Sequence, residues 1–187
     1  MKVIFLDHDG VICLSSEWGG RHKKYDKYIA KHGKCLYHDL PVEYRFDNFN
    51  PKAVKVLNAI LEETGAEIVV SSDWRHHCSL SQMGDYYEAQ GIKKRPIGYT
   101  TSSLPAGLKF WHRNYELEET RCYEILEWLK EHPEITHWVA VDDMAMGEKF
   151  DHDGEYLWGL KNFVNTPRAY EGIKQSNIKH EIINFLK

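Results

Sequence analysis

The sequence lacks the features that mark membrane, secreted and zinc-binding proteins. Its 187 residues include no apolar run of the roughly 18 residues that a membrane-spanning helix needs. The short apolar start leads into two aspartates without a small-residue cleavage site, so we expect no secretory signal. The four cysteines form no C-x-x-C pair, which favours reduced thiols over a zinc site. These absences predict a cytoplasmic protein without a membrane partner.

A basic excess is also missing. The chain has 24 Lys and Arg residues against 28 Asp and Glu residues, a formal net charge of -4. This balance argues against a wholly basic nucleic-acid-binding module but allows a local basic groove. The chain length suits a single domain of residues 1–187. The sequence leaves the oligomeric state open.

Three short apolar runs rich in β-branched residues predict strands that are buried on both faces. They cover residues 2–6, 67–70 and 137–141, and weaker strand candidates cover 97–99 and 162–164. Helical spacing and capping residues predict helices between these runs. The predicted helices are 51–64 (capped by Asn50 and closed by Gly65), 80–90, a stretch from Thr120 to before Pro133, and 178–186. This alternation predicts an α/β fold, a three-layer sandwich around a central parallel sheet.

Residues 13–50 interrupt the alternation with an aromatic and basic stretch. They follow the carboxyl end of the first strand, where ligands bind in open α/β sheets. We interpret this stretch as a small lid or substrate-recognition insertion within one domain. The alternative is that residues 13–50 form a solvent-exposed surface segment without such a role.

Each of the three main strands delivers polar residues to one edge of the sheet. The first strand leads to Asp7 and Asp9, the second to Ser71 and Ser72, and the third to Asp142 and Asp143. Clustered carboxylates repel one another unless a cation neutralises them. Hard oxygen ligands suit Mg²⁺, so we predict a magnesium site there.

The same residue types suit phosphoryl transfer, which needs a nucleophile, a proton donor and neutralised phosphate oxygens. Asp7 is the predicted nucleophile, and Asp9 is the predicted acid and base for the leaving group and for water. Gly10 allows the sharp turn that lets both acids face one space. The hydroxyls of Ser71 and Ser72 are predicted to donate hydrogen bonds to the phosphate.

A basic side chain that binds the phosphate oxygens is expected at the amino end of the helix that precedes the third strand. Arg121 occupies that position, where a basic residue opposes the helix dipole. Lys109 and Arg113, just before that helix, are the alternatives. Arg75 follows the serines closely and is predicted to contact a second phosphate or a carboxylate of the substrate; a surface salt bridge is the alternative.

These segments resemble the four motifs of the haloacid-dehalogenase-like (HAD) hydrolase superfamily. VIFLDHDGV, IVVSSDWR, a basic residue opening a helix, and VAVDDM occur in the order of that superfamily. Within it, the strings SSDWR and RCYEILEWL resemble the small-lid phosphatase domains associated with RNA-repair proteins. The resemblance implies a Rossmann-like fold and an aspartyl-phosphate mechanism.

The resemblance also implies roles for single residues. Asp7 would be nucleophile and metal ligand, and Asp9 would be acid and base with its carbonyl on the metal. Asp142 would be a metal ligand, and Asp143 a second or outer-shell ligand. Ser71 and the basic residue would hold the phosphate. The chain departs from the common pattern in having Val11 instead of threonine and arginine instead of lysine in the third motif.

The sequence therefore predicts a magnesium-dependent phosphomonoester hydrolase that acts on a nucleotide or the phosphorylated end of a polynucleotide. A phosphatase of a small metabolite, such as a sugar phosphate, is one alternative. A non-catalytic binding protein on the same fold is the other, and the intact Asp7, Asp9 and Asp142 argue against it.

Overall fold

The computed structural model describes residues 1–100 and 117–187. The strands in the described part are β1 (Lys2–Leu6), β2 (Glu67–Val70), β3 (Gly98–Tyr99), β4 (His137–Asp142), β5 (Lys149–Phe150), β6 (Tyr156–Trp158) and β7 (Phe163–Asn165). The α-helices are α1 (Gly20–His32), α2 (Pro51–Thr64), α3 (Leu80–Ala89), α4 (Leu117–Glu131) and α5 (Ile178–Phe185). Short 3₁₀-helices cover Tyr37–Asp39, Val42–Tyr44, Asp73–His77 and Gly172–Lys174. None of these helices has the length and hydrophobicity of a membrane span.

Five strands form one parallel sheet in the order β3-β2-β1-β4-β7. The three main predicted strands are its centre, and Leu6 is in register with both Val70 and Val141. The residues that follow these strands therefore meet at one edge. The predicted α/β sandwich around a parallel sheet is confirmed.

Side chains of β1 alternate between two hydrophobic cores, one on each face of the sheet. Ile4 and Leu6 pack in the larger core, with apolar residues of α2, α3 and α5. Val3 and Phe5 pack in the smaller core, with residues of α4. Because both faces of the sheet are covered, the interior residues of its central strands are apolar.

The predicted helix boundaries follow local capping chemistry. The Asn50 side chain accepts hydrogen bonds from the backbone N–H groups of Lys52 and Ala53, as expected of an N-cap before a proline. Gly65 closes α2, as predicted. Helix α4 already includes Leu117, three residues before the predicted start.

Residues 13–50 contain α1 and two 3₁₀-helices, and their last part packs in the larger core through Phe46 and Phe49. The Asp47 carboxylate ties α1 to this anchor by accepting the backbone N–H groups of Gly19 and Arg21 at 3.1 Å and 2.6 Å. The segment is thus fixed at its base. The lid function of residues 13–50 and the single-domain organisation stay predictions.

Candidate active site

The site begins with three acids at the carboxyl edge of the sheet. Asp7 follows β1, Asp142 is the last residue of β4, and Asp143 comes next. One carboxylate oxygen from each of the three residues lies within 4.8 Å of the corresponding oxygens of the other two. Asp7 and Asp142 are buried, so water screens their charges poorly. The structure brings together three of the four predicted metal ligands.

Burial and mutual repulsion perturb these acids. Burial, followed by the negative charge of Asp142, raises the pKa of Asp7 well above its ordinary value. The same two causes raise the pKa of Asp143 to about 6. A divalent cation would relieve this repulsion, and an all-carboxylate donor set fits Mg²⁺ better than softer metals. The residues present therefore fit the predicted ion.

Arg121 lies between two of the acids. Its Nη1 is 3.1 Å from Asp7 Oδ1 and 2.7 Å from Asp142 Oδ2, and its Nη2 is 3.3 Å from Asp73 Oδ1. Helix α4 leads into β4, so its first turns stand at the acidic edge, as the sequence argument required. The alternatives Lys109 and Arg113 lie outside the described residues. Asp73 is a partner that the sequence analysis missed.

The two serines after β2 have different surroundings. Ser71 is buried, and among the described residues its hydroxyl has no hydrogen-bond partner. The Ser72 hydroxyl instead accepts the backbone N–H of Trp74 and so caps the 3₁₀-helix Asp73–His77. The Ser71 hydroxyl, beside β1, is thus available to donate a hydrogen bond to a phosphate oxygen.

Arg75 forms a buried ion pair. Its Nη2 is 2.7 Å from Glu124 Oε2, and its Nη1 donates to the Ser71 carbonyl at 2.7 Å. These bonds fasten α4 to the end of β2, which supports the position of Arg121. The sequence predicted a surface salt bridge of Arg75 as the alternative, whereas the Arg75–Glu124 ion pair is buried. The contact of Arg75 with a substrate stays a prediction.

Asp9 is fixed by a residue that sequence reasoning did not assign. The indole Nε1 of Trp74 donates a hydrogen bond to Asp9 Oδ2 at 2.8 Å. Burial raises the pKa of Asp9, and the Trp74 hydrogen bond opposes this change. The string SSDWR contains Trp74, but only the folded 3₁₀-helix brings its ring to Asp9.

Gly10 and the loop after β7 complete the site. Gly10 has φ +70°, and a Cβ atom there would lie 2.2 Å from Asp143 Oδ2. Thr166 Oγ1 donates to the Gly10 carbonyl, while Asn165 Nδ2 donates to the carbonyls of Asp142, Asp143 and Met144. The sequence analysis missed Asn165 and Thr166, since neither stands in a recognisable motif.

The motif DHDG occurs a second time at residues 151–154. Asp151, His152 and Asp153 are exposed in the turn between β5 and β6, where Asp151 accepts backbone N–H groups of Asp153 and Glu155. A nucleophile needs a rigid support, which this turn does not offer. We therefore do not assign Asp151 or Asp153 as a nucleophile.

The fold and the acidic edge define the chain as an HAD-type hydrolase. The model of the family described as the HAD domain in Swiss Army Knife RNA repair proteins matches residues 3–176, and the chain belongs to this family. Neither the curated proteins nor the solved structures include a match to the chain.

Proposed function

We propose that the chain is a magnesium-dependent phosphomonoesterase that forms an aspartyl-phosphate on Asp7 and acts on a nucleotide or a polynucleotide end. The observation that carries this proposal is the meeting of Asp7, Asp142 and Asp143 within 4.8 Å, with Arg121 against two of them. A buried acid cluster of this kind lowers the free energy of unfolding. A role in cation binding and catalysis would explain why the chain has such a cluster.

The first chemical step transfers the phosphoryl group to the enzyme. A carboxylate oxygen of Asp7 forms a bond to phosphorus, and the bond between phosphorus and the leaving oxygen breaks with its electron pair on that oxygen. Asp9 gives its proton to the leaving oxygen. Its raised pKa, caused by burial, favours the protonated form that this step needs.

The second step releases phosphate. Asp9, now a carboxylate, removes a proton from water, and the water oxygen attacks the phosphorus of the phospho-Asp7 group. The Asp7 carboxylate leaves, and inorganic phosphate is the product. Arg121, Ser71 and Ser72 are the proposed donors to the phosphate oxygens, and Arg75 is retained as a proposed contact with a second anionic group of the substrate.

Asp7, Asp142, Asp143 and the Asp9 carbonyl would hold Mg²⁺. When bound, the ion neutralises the charge that accumulates on the transferring phosphoryl group. Arg121 Nη1 donates hydrogen bonds to the carboxylates of Asp7 and Asp142. Gly10 leaves room for Asp143.

Hydrolysis of p-nitrophenyl phosphate tests the chemistry. We expect activity that requires Mg²⁺ and that is abolished in Asp7→Asn. Asp151→Asn is the matched control, since it changes the first aspartate of the exposed second DHDG, and it should retain wild-type activity. Activity in Asp7→Asn, or wild-type protein that is inactive with Mg²⁺ while still binding phosphate, would contradict the proposal; the latter favours the non-catalytic binder.

A substrate panel tests the substrate class. The panel compares nucleoside monophosphates, sugar phosphates and oligonucleotides with a 3′- or 5′-phosphate by kcat/KM. The family description supports a nucleic-acid end, as does the basic stretch within residues 13–50. We expect the oligonucleotides to be preferred, with a steep loss of activity as salt rises. Preference for sugar phosphates would favour the small-metabolite alternative.

A further inference from the structure

Residues 20–45 carry positive charge on an otherwise acidic chain. They include seven lysines and arginines against three acids, while the whole chain has a net charge of -4. Within the part of the chain that the structure describes, no residue of α1 is buried. Such a helix contributes little to a core, and its basic surface faces solvent. The charge of this segment favours an anionic partner.

One cavity of about 400 Å³ lies between α1, the two following 3₁₀-helices and the end of Asp73–His77. Aromatic rings dominate its lining, with Tyr25, Tyr37, Tyr44 and His77 beside Arg21. Tyr25 is 37% exposed and Tyr37 is 40% exposed, so both rings are accessible to a ligand. The Arg45 guanidinium stiffens this cavity by donating to the carbonyls of His38, Leu40 and His77.

The cavity adjoins the 3₁₀-helix Asp73–His77, whose Trp74 contacts Asp9. The backbone N–H of Arg21 donates to Asp47 Oδ1 at 2.6 Å, and Phe46, the residue before Asp47, stacks on Trp74. His77 ends the same 3₁₀-helix that holds Trp74 against Asp9. A group attached to the leaving oxygen would therefore extend from Asp9 towards these rings.

A second cavity of about 390 Å³ continues along the other flank of α1. Lys24, Lys27 and Lys31 line it at helical spacing, together with Tyr28 and Tyr44. Tyr44 lines both cavities, so they adjoin. Aromatic rings next to a row of lysines suit a strand in which flat bases alternate with phosphates.

We infer that the cavity around Tyr25 and Tyr37 binds the terminal nucleoside of a single-stranded nucleic acid whose end phosphate reaches Asp7, and that the lysines of α1 bind the following phosphates. This inference rests on the proposed phosphatase function and specifies its substrate site. Stacking on a tyrosine gives affinity for any base, so the site recognises strand ends with little sequence preference.

The first test uses Tyr25→Leu and Tyr37→Leu with two substrates, p-nitrophenyl phosphate and a short oligoribonucleotide that carries an end phosphate. Loss of one stacking ring should lower the ratio of kcat/KM values, oligoribonucleotide over p-nitrophenyl phosphate, by about tenfold. Tyr156→Leu is the control. This exposed tyrosine lies in β6, whose Trp158 packs against the smaller core, on the other face of the sheet from Phe46. It should keep the wild-type ratio. A wild-type ratio in both cavity variants overturns the inference.

A binding measurement separates this inference from the catalytic proposal. In the Asp7→Asn background, an oligoribonucleotide with a fluorescent base analogue beside its end phosphate should be quenched on binding, and Tyr37→Leu should remove the quenching. Full quenching in Tyr25→Leu and in Tyr37→Leu overturns the inference even when Asp7→Asn abolishes hydrolysis. Persistent hydrolysis by Asp7→Asn would instead refute the nucleophile.

The lysines are tested by salt dependence. Lys27→Gln/Lys31→Gln should reduce the slope of log affinity against log salt concentration by about 2, roughly 1 per phosphate contact. Lys179→Gln/Lys187→Gln, in and after α5, removes equal charge elsewhere and should leave the slope unchanged. Equal slopes in both double variants would exclude the lysines from the path of the strand.

Discussion

The indole Nε1 of Trp74 donates a 2.8 Å hydrogen bond to Oδ2 of Asp9, across 65 positions of sequence. Trp74 is itself locked in place, since its ring stacks on Phe46 with centroids 4.6 Å apart. Phe49 stacks on the same ring at 5.5 Å. The proposed acid and base of the reaction therefore has a fixed orientation, which is set by aromatic packing of Trp74 against Phe46 and Phe49.

Trp74→Phe should make catalysis more sensitive to the leaving group. The substitution keeps an aromatic ring and removes the N–H donor, so Asp9 loses its fixed position. We expect kcat for an alkyl phosphate, whose leaving oxygen needs a proton, to fall by about tenfold or more. The fall for p-nitrophenyl phosphate, which needs little protonation, should be smaller.

Trp138→Phe is the control for this comparison, because Trp138 packs against Phe5 on the other face of the sheet. It should change both substrates little. Equal losses for alkyl and p-nitrophenyl phosphate in Trp74→Phe would show that Trp74 supports the fold and not the proton transfer.

Asp142→Asn and Arg121→Gln should differ in their effect on Mg²⁺ binding. Asp142→Asn removes a proposed ligand and should raise the Kd for Mg²⁺, measured by calorimetry, at least about tenfold. Arg121→Gln removes a positive charge beside two acids and should not weaken Mg²⁺ binding, while kcat falls by about a hundredfold. Weaker Mg²⁺ binding in Arg121→Gln would contradict the proposed ligand set.

Gly10→Ala should damage the site more than the same change at a matched glycine. Gly10 has φ +70° and its added Cβ would meet Asp143 Oδ2, whereas Gly65 has φ +71° and open space around the added Cβ. Gly65→Ala should cost about 1 to 2 kcal/mol of unfolding free energy from backbone strain alone. Gly10→Ala should add a loss of Mg²⁺ affinity, because Asp143 must move. Unchanged Mg²⁺ affinity in Gly10→Ala would contradict this reading.

His8 should make the fold sensitive to mild acid. It is fully buried, its Nε2 lies 2.7 Å from the Tyr87 hydroxyl, and burial lowers its pKa from 6.5 to about 3. The unfolded chain therefore binds a proton that the folded chain excludes between these two values. The contribution of His8 to the free energy of unfolding is therefore fully present above pH 6.5, the pKa in the unfolded chain. It declines as the pH falls towards 3.

Chemical denaturation of wild type and His8→Gln at neutral pH and at about pH 5 measures this effect. The loss of unfolding free energy on acidification should be larger in wild type by about 2 kcal/mol. The difference between the two proteins removes the contributions of the nearby carboxylates, which both contain. An equal loss in both proteins would show that His8 is not held neutral by the fold.

Local chemistry explains why so much of the fold was predictable. The boundaries of α2 depend on Asn50 and Gly65, which act on their own backbone neighbours. The central strands are recognisable because burial on both faces requires continuous apolar runs. Once these strands are parallel neighbours, the acids after them must share an edge. Arg121 could be placed there because α4 leads into β4.

Contacts across the chain were not predictable in the same way. The sequence predicted Ser71 and Ser72 alike as phosphate donors, but their surroundings differ: the Ser72 hydroxyl accepts the backbone N–H of Trp74, whereas the Ser71 hydroxyl has no partner among the described residues. Arg75 lies in a buried pair with Glu124 of α4. Each of these partners depends on how two separate elements pack, which no local pattern encodes.

The sequence by itself determined the order of the five strands of the parallel sheet and of helices α2 to α5, and the type of residue at the end of each central strand. It could do so because capping, hydrophobic periodicity and strand burial act between residues close together in the chain. The tertiary structure alone decided that Trp74 orients Asp9, that Gly10 makes room for Asp143, and that tyrosines line a cavity next to His77. Side-chain packing between distant segments fixes those contacts to within a few ångströms.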